Sequence, residues 1–80
     1  MELDLTQLGH RAALCLKANI AGDTLQLWPA PGKTGQLVNS LSTVLPLLQA
    51  HGLNAAAVWV GEKFITYPIE RINPTNRLAA

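Results

Sequence analysis

Gly32-Lys33-Thr34 is the step in this chain that comes nearest to a phosphate loop. A glycine and a lysine ahead of a helix start can offer backbone N–H groups and an ammonium to an anion. The complete motif needs a second glycine five residues before Gly32, and Leu27 stands there. The step therefore reads as a turn with a capping threonine. His10, Cys15 and His51 are the soft metal ligands, but their separations fit no zinc pattern and no fourth ligand accompanies them. His51 closes a predicted helix, where a histidine meets the last carbonyls. Cys15 has Lys17 beside it to lower its pKa, and no histidine is placed near it as a base. Ser40, Ser42 and Thr43 lack an assigned base too, and read as solvent-facing or bonded back to the main chain. The residues thus point to no enzyme and imply no cofactor and no metal.

The side chains left over are ones that bind. Trp28 falls out of phase with Leu25 and Leu27, so it points away from the face those leucines bury. Aromatic anchors of that kind are common interface hot spots. Trp59 is assigned to the core or its margin. Glu62-Lys63 at a predicted turn, with Arg71, Asn76 and Arg77 beyond, would make a wing-like contact to phosphates, giving weak and salt-sensitive nucleic-acid binding.

A helix must position these groups. Over 34–52, Leu37, Val38, Leu41, Val44, Leu45 and Leu48 recur on one side of a helical wheel. Thr34 is the expected N-cap. Gly52 suits the left-handed position after the last turn, with Leu53 folding back on Leu48. Pro46 removes a backbone donor inside this run, so the helix is either one bent rod or two pieces, the first to about Ser42 and the second starting near Pro46 with Thr43 as its cap.

Before the helix, Leu14, Leu16, Ala18 and Ile20 alternate with Cys15, Lys17, Asn19 and Ala21, which predicts a strand near 13–20. The same alternation puts Cys15 opposite the leucines. Ala21-Gly22-Asp23 turns the chain into a second strand near 24–29, ended by Pro29 and Pro31. After the helix, 55–60 and 63–68 read as another hairpin about Gly61-Glu62, with Pro68 marking an edge or a strand end. Residues 2–9 allow a short helix, and 70–80 read as loop. The expected fold is α+β, of order ββαββ: two antiparallel hairpins, joined into one antiparallel sheet or not, packed on a central Pro-bent or split helix in a single domain.

The run LCLKANIAGDTLQLWPAPGKTGQLVNSLSTVLPLLQAHG, residues 14–52, resembles the TubC-type N-terminal docking domain of peptide and polyketide megasynthases. The resemblance rests on the Gly22-Asp23 turn, Leu25 and Leu27, Ala30-Pro31-Gly32, and Leu37, Leu41, Leu45 and Leu48. Leu45-Pro46 replaces the family's basic residues, and the hairpin around 59–67 is foreign to it. What the resemblance implies is a dimer whose hairpin edge docks a short acidic tail of a partner enzyme. Carried onto this chain, strand 24–28 would be that edge, with Lys17, Thr24, Gln26, Trp28 and Lys33 as binding residues.

Charge and size are consistent with a binder. Between Asp23 and Glu62 the only formal charge is Lys33, and an exposed neutral span of that length asks to be covered. Eighty residues give a marginal core, for which a second copy is a common remedy. A net charge of +1 suits no dedicated duplex-DNA binder. The lone cysteine, the absence of a secretory signal and the short apolar runs suggest a cytoplasmic chain outside the membrane. The expectation is a docking module for another protein or a peptide segment of one, and a homodimer. The alternatives are an inhibitor capping a larger complex, or a nucleic-acid accessory using Lys63, Arg71 and Arg77.

Overall fold

The structure, a computed structural model, describes residues 1–72. Five strands form one mixed sheet: β1 (Glu2–Leu3), β2 (Cys15–Ala21), β3 (Thr24–Pro29), β4 (Ala55–Val60) and β5 (Lys63–Pro68), in that spatial order. Both expected hairpins are present. Each turns on a two-residue loop whose first position is a glycine at positive φ, Gly22 at 62° and Gly61 at 71°. That conformation matches the twist of the flanking strands and costs glycine nothing.

The two hairpins join into one sheet but meet in parallel, so the arrangement left open, a single antiparallel sheet, is not the one formed. Thr24 to Leu27 pair in parallel with Ala55 to Val58. The long helical connection is the reason, since it carries the chain back to the end of the sheet where β3 began. Three consequences follow. The strand expected to be a docking edge lies at the centre of the sheet, so no peptide can add along it. β5 becomes an edge, as Pro68 had indicated. Part of the charge-poor stretch between Asp23 and Glu62 is interior, the leucine stripe of the crossover and the run Ala55 to Val58 above all, so burial accounts for a share of its neutrality and the rest of the stretch stays at the surface.

The connection is two helices and not one bent rod. α1 (Thr34–Asn39) and α2 (Leu45–Ala50) are separated by a 3₁₀ turn over Leu41–Val44, and Pro46 sits in the first turn of α2, where its missing N–H costs nothing. α2 starts beside Pro46 as the split version expects, while α1 ends at Asn39, before the expected Ser42. Thr34 is not the cap: Lys33 holds that position and no side chain caps either helix. The end of α2 follows the sequence closely. Gly52 has φ 66°, Leu53 N–H donates to Leu48 C=O at 2.8 Å and Gly52 N–H to Gln49 C=O at 3.2 Å. This is the Schellman pattern.

The helices cover one face of the sheet. Leu37, Leu41, Val44, Leu48 and Leu53 meet Ala18, Leu25, Leu27, Ala56 and Val58, all buried. Each fully buried leucine contributes roughly 1.5–3 kcal/mol of transfer free energy. Ala18 and Ala56 bring no bulk of their own, which lets the leucines seat against the sheet.

A bulge changes the phase of β2. Cys15 pairs with Pro29 but Lys17 pairs with Trp28, leaving Leu16 as the extra residue. Cys15 is therefore on the helix side and buried, and Leu16, assigned inward by alternation, is 65% exposed. The N-terminal helix is a 3₁₀ segment, Leu5–Leu14, kinked at Gly9 and longer than the 2–9 expected, with β1 ahead of it. At the other end 70–72 is not loop. Ile69–Ile72 forms a helical turn, α3, that buries Ile72. The remainder of the expected loop, 73–80, lies outside the described residues. A clasp ties the end of the crossover to the start of β3: Asn54 N–H donates to Asp23 C=O at 2.7 Å, and Asn54 Nδ2 to Asp23 Oδ2 at 2.9 Å. The Asn54 amide bond holds the Asp23 carboxyl below its ordinary value.

Two glycines should respond oppositely to alanine. At Gly52 nothing lies within 4 Å of a new Cβ, so the cost of Gly52→Ala is the left-handed backbone alone, about 1–2 kcal/mol. Gly35, inside α1 and equally open, has no positive φ, so Gly35→Ala should stabilise by about 0.5–1 kcal/mol. Urea unfolding of the two variants measures both, and equal shifts would contradict the Schellman assignment.

Candidate functional site

Strand parity sorts the other face of the sheet, the one without helices. Lys17, Asn19, Thr24, Gln26, Trp28, Trp59, Phe64 and Thr66 belong to it by register. Because β3 and β4 run in parallel, their C-terminal ends share one end of the sheet. The parallel junction thereby delivers the Gly61-Glu62 turn to the end that holds Trp28.

Four side chains interlock there. Lys17 Nζ stands 4.8 Å from the centroid of the Trp28 ring. Phe64 lies between the tryptophans with its centroid 5.1 Å from each, meeting Trp28 at 81° and Trp59 at 69°. Edge-to-face pairs of this geometry are worth about 0.5–1.5 kcal/mol beyond burial, and an exposed cation–π contact about 0.5–1 kcal/mol. The three rings are half-buried, since no second layer covers them. Asn19 Nδ2 donates to Gln26 Oε1 at 3.0 Å further along the same face. On β4, Ala57, level with Gln26, and Ala55, level with Thr24, are buried although they face outward, so the open face drops away from the rings to a shallow floor.

Of the residues assigned to partner binding, Lys17 and Trp28 are in contact and Gln26 is one ladder step away. Thr24 is not with them. It sits at the opposite end of β3, its hydroxyl 3.4 Å from Asp23 Oδ1. Lys33 is exposed in the turn that leaves the aromatic end. Trp59, expected at the core or its margin, lies outside the core on the open face. Phe64 was missed, although it is the residue that joins the two tryptophans. Its signal was available, because a two-residue turn at Gly61-Glu62 forces Trp59 opposite Phe64.

Of the residues assigned to phosphate contact, the two among the described residues, Lys63 and Arg71, do not converge. Lys63 begins β5 and Arg71 follows its far end, a strand length of roughly 20 Å apart. Arg77 and Asn76 lie outside the described residues. Arg71 instead borders an open cleft of ≈ 290 Å³ with Val38, Asn39, Leu41, Tyr67 and Ile72. His51 Nε2 is 3.3 Å from Gln7 Oε1 rather than on the last carbonyls of α2. Thr43 is bonded back, its hydroxyl donating to Ser40 C=O at 2.6 Å. Among the described residues no three of His, Cys, Asp and Glu gather as a metal site, and no helix is long and apolar enough to cross a membrane.

Burial pushes the Cys15 thiol above its ordinary value of 9.0, the reverse of what an activated nucleophile needs. In the unfolded chain this thiol ionises at that ordinary value, while in the folded chain it stays protonated to higher pH. Its contribution to stability is therefore complete below that pH and is lost as pH rises past it. Native protein should react with a thiol reagent far more slowly than urea-unfolded protein. Cys15→Ala should flatten the alkaline fall in stability, and fast native labelling would contradict the buried thiol.

Comparison with family models, with curated proteins and with solved structures finds no match to this chain.

Proposed function

We propose that the protein is a non-enzymatic interaction module that holds a segment of another protein on the open face of its sheet. The observation that carries this reading is the uncovered ring cluster of Trp28, Phe64 and Trp59, buttressed by Lys17. A small domain gains more by covering three large rings with its own chain than by leaving them half in water. Here they are instead fixed against one another, which removes the rotamer entropy that binding would otherwise cost. Leu16, 65% exposed by the bulge in β2, extends the apolar patch towards the β1 side.

The chemistry of the segment follows from what surrounds the rings. Lys17 stands on this face and Lys33 in the turn at the same end of the sheet, while Lys63, in register with Val60, belongs by parity to the helix-covered face. A partner segment with apolar side chains flanked by carboxylates would fill the patch and pair with the ammonium groups at its rim. Such rim charges steer association more than they hold the complex. Docking on this face replaces strand addition along β3, which the central position of that strand forbids. The resemblance of 14–52 to TubC-type docking domains leans the same way, and in this reading the foreign hairpin contributes Trp59 and Phe64 to the surface.

The test compares immobilised wild-type protein with its Trp28→Ala variant as bait in lysate of the native cell. Retained proteins are identified by mass spectrometry, and the affinity of each is then measured with purified material. Loss of a ring at the centre of the patch should weaken binding by about 2 kcal/mol, roughly 30-fold in Kd, with circular dichroism unchanged. Retention should survive raised salt. Equal binding by Trp28→Ala would show the interface to be elsewhere, and retention abolished by modest salt would favour a nucleic-acid or purely ionic contact.

A further inference from the structure

The two borders of the sheet are treated differently. On the β1 side the chain closes itself: the Met1 ammonium donates to Ile20 C=O at 2.7 Å and Ile20 N–H to Met1 C=O at 2.7 Å, with the 3₁₀ segment alongside. On the β5 side no strand of the described residues pairs with the border.

The unpaired groups on β5 can be assigned from its turn. With two residues in the loop, Val60 and Lys63 form the first pair that exchanges main-chain hydrogen bonds, and alternate pairs follow. The Ile69 N–H bond to Asn54 C=O, 2.9 Å, falls in the same phase. Lys63, Ile65 and Tyr67 therefore direct their main-chain groups to β4. Phe64 and Thr66 direct theirs outward. Pro68, next in that outward series, has no N–H, so the border ends there with no donor left over.

This row is complementary to itself. Placed antiparallel to an identical strand about a two-fold axis at Ile65, Phe64 meets Thr66 of the second copy and Thr66 meets its Phe64. The four outward N–H and C=O pairs of Phe64 and Thr66 are then satisfied, and Pro68 leaves no unpaired donor beyond them. Ile65 falls opposite its own counterpart at a close, non-hydrogen-bonded position. Ile65 is one of the few large apolar residues the fold leaves exposed, at 37%, and it lies at the centre of this array. Lys63 comes opposite Tyr67 of the second copy, so no like charges face each other.

We infer that β5 is the border through which a second copy of this chain binds, joining two sheets into one of ten strands. The axis is perpendicular to the sheet. Both helical layers then lie on one side and both ring clusters on the other, so the dimer presents two docking patches in one direction. The contact is independent of what those patches hold.

Light scattering and sedimentation of the purified chain should report a dimer. Ile65→Lys, an exposed change that sets two ammonium groups against each other, should give a monomer with unaltered circular dichroism. Register is read by cross-linking in a Cys15→Ala background. Ile65→Cys should oxidise to a disulfide-linked dimer because the two Cβ atoms are adjacent, while Thr66→Cys, offset by two residues from its counterpart, should not. A monomeric wild type, or a dimer indifferent to Ile65→Lys, overturns the inference. Cross-linking at Thr66 in place of Ile65 overturns the register. Partner retention by the monomeric Ile65→Lys protein, measured as above, keeps a failure here distinct from a failure of the docking surface.

Discussion

The parallel junction between β3 and β4 is the constraint on which the rest of the molecule depends. Leu25 and Leu27 on one strand and Ala56 and Val58 on the other are fully buried beneath the leucines of the crossover. A parallel pair cannot be closed by a tight turn, so the crossover is required to bring β4 back to the start of β3. Its helices must then lie on a single face, because the connection passes over the sheet once. One covered face, one open face and an outermost hairpin all follow from that single return of the chain.

The same junction decides where chemistry can gather. Had the hairpins met in antiparallel fashion, the Gly61-Glu62 turn would have fallen at the end of the sheet that carries Asp23. Trp59 and Phe64 would then sit a strand length from Trp28. In parallel they meet it, and Phe64 bridges the two indoles. Lysines distributed through the sequence at 17, 33 and 63 are drawn to one end by the same geometry. Lys63 and Arg71 are drawn apart, to the two ends of β5.

Local patterns were legible wherever one element sufficed to specify them. Gly22 and Gly61 mark their turns, Gly52 and Leu53 end α2 with the bonds their types predict, and the leucine stripe buries as its spacing requires. Trp28 faces away from the helices as its phase demands. What sequence could not carry was the relation between elements. The alternation in 14–21 is regular, yet a bulge at Leu16 inverts it, because Cys15 must pair with Pro29 where the strand runs out. The run Ala55-Ala56-Ala57-Val58 is buried on both faces and so shows no alternation, the pattern of a central strand. That signal was present, and with a helical connection before it, it pointed to a parallel centre. The partner-side residues followed from a strand edge that the true order places in the interior.

The way a sheet ends separates the two borders in physical terms. Natural sheets blunt a free edge with charge, proline, a bulge or a covering segment. The β1 border has several of these: a strand of two residues, a bulge in the strand behind it and the chain terminus bonded across it. The β5 border has Lys63 and Pro68 at its limits and nothing protective between them, where Phe64, Ile65, Thr66 and Tyr67 are all good strand formers. A lysine and a proline set at the two ends do not prevent pairing. They confine it to one length and one register, since slippage would bring Lys63 beyond the partner strand or require a hydrogen bond from Pro68. An edge limited in that way selects a partner of its own length. An identical copy of β5 has that length.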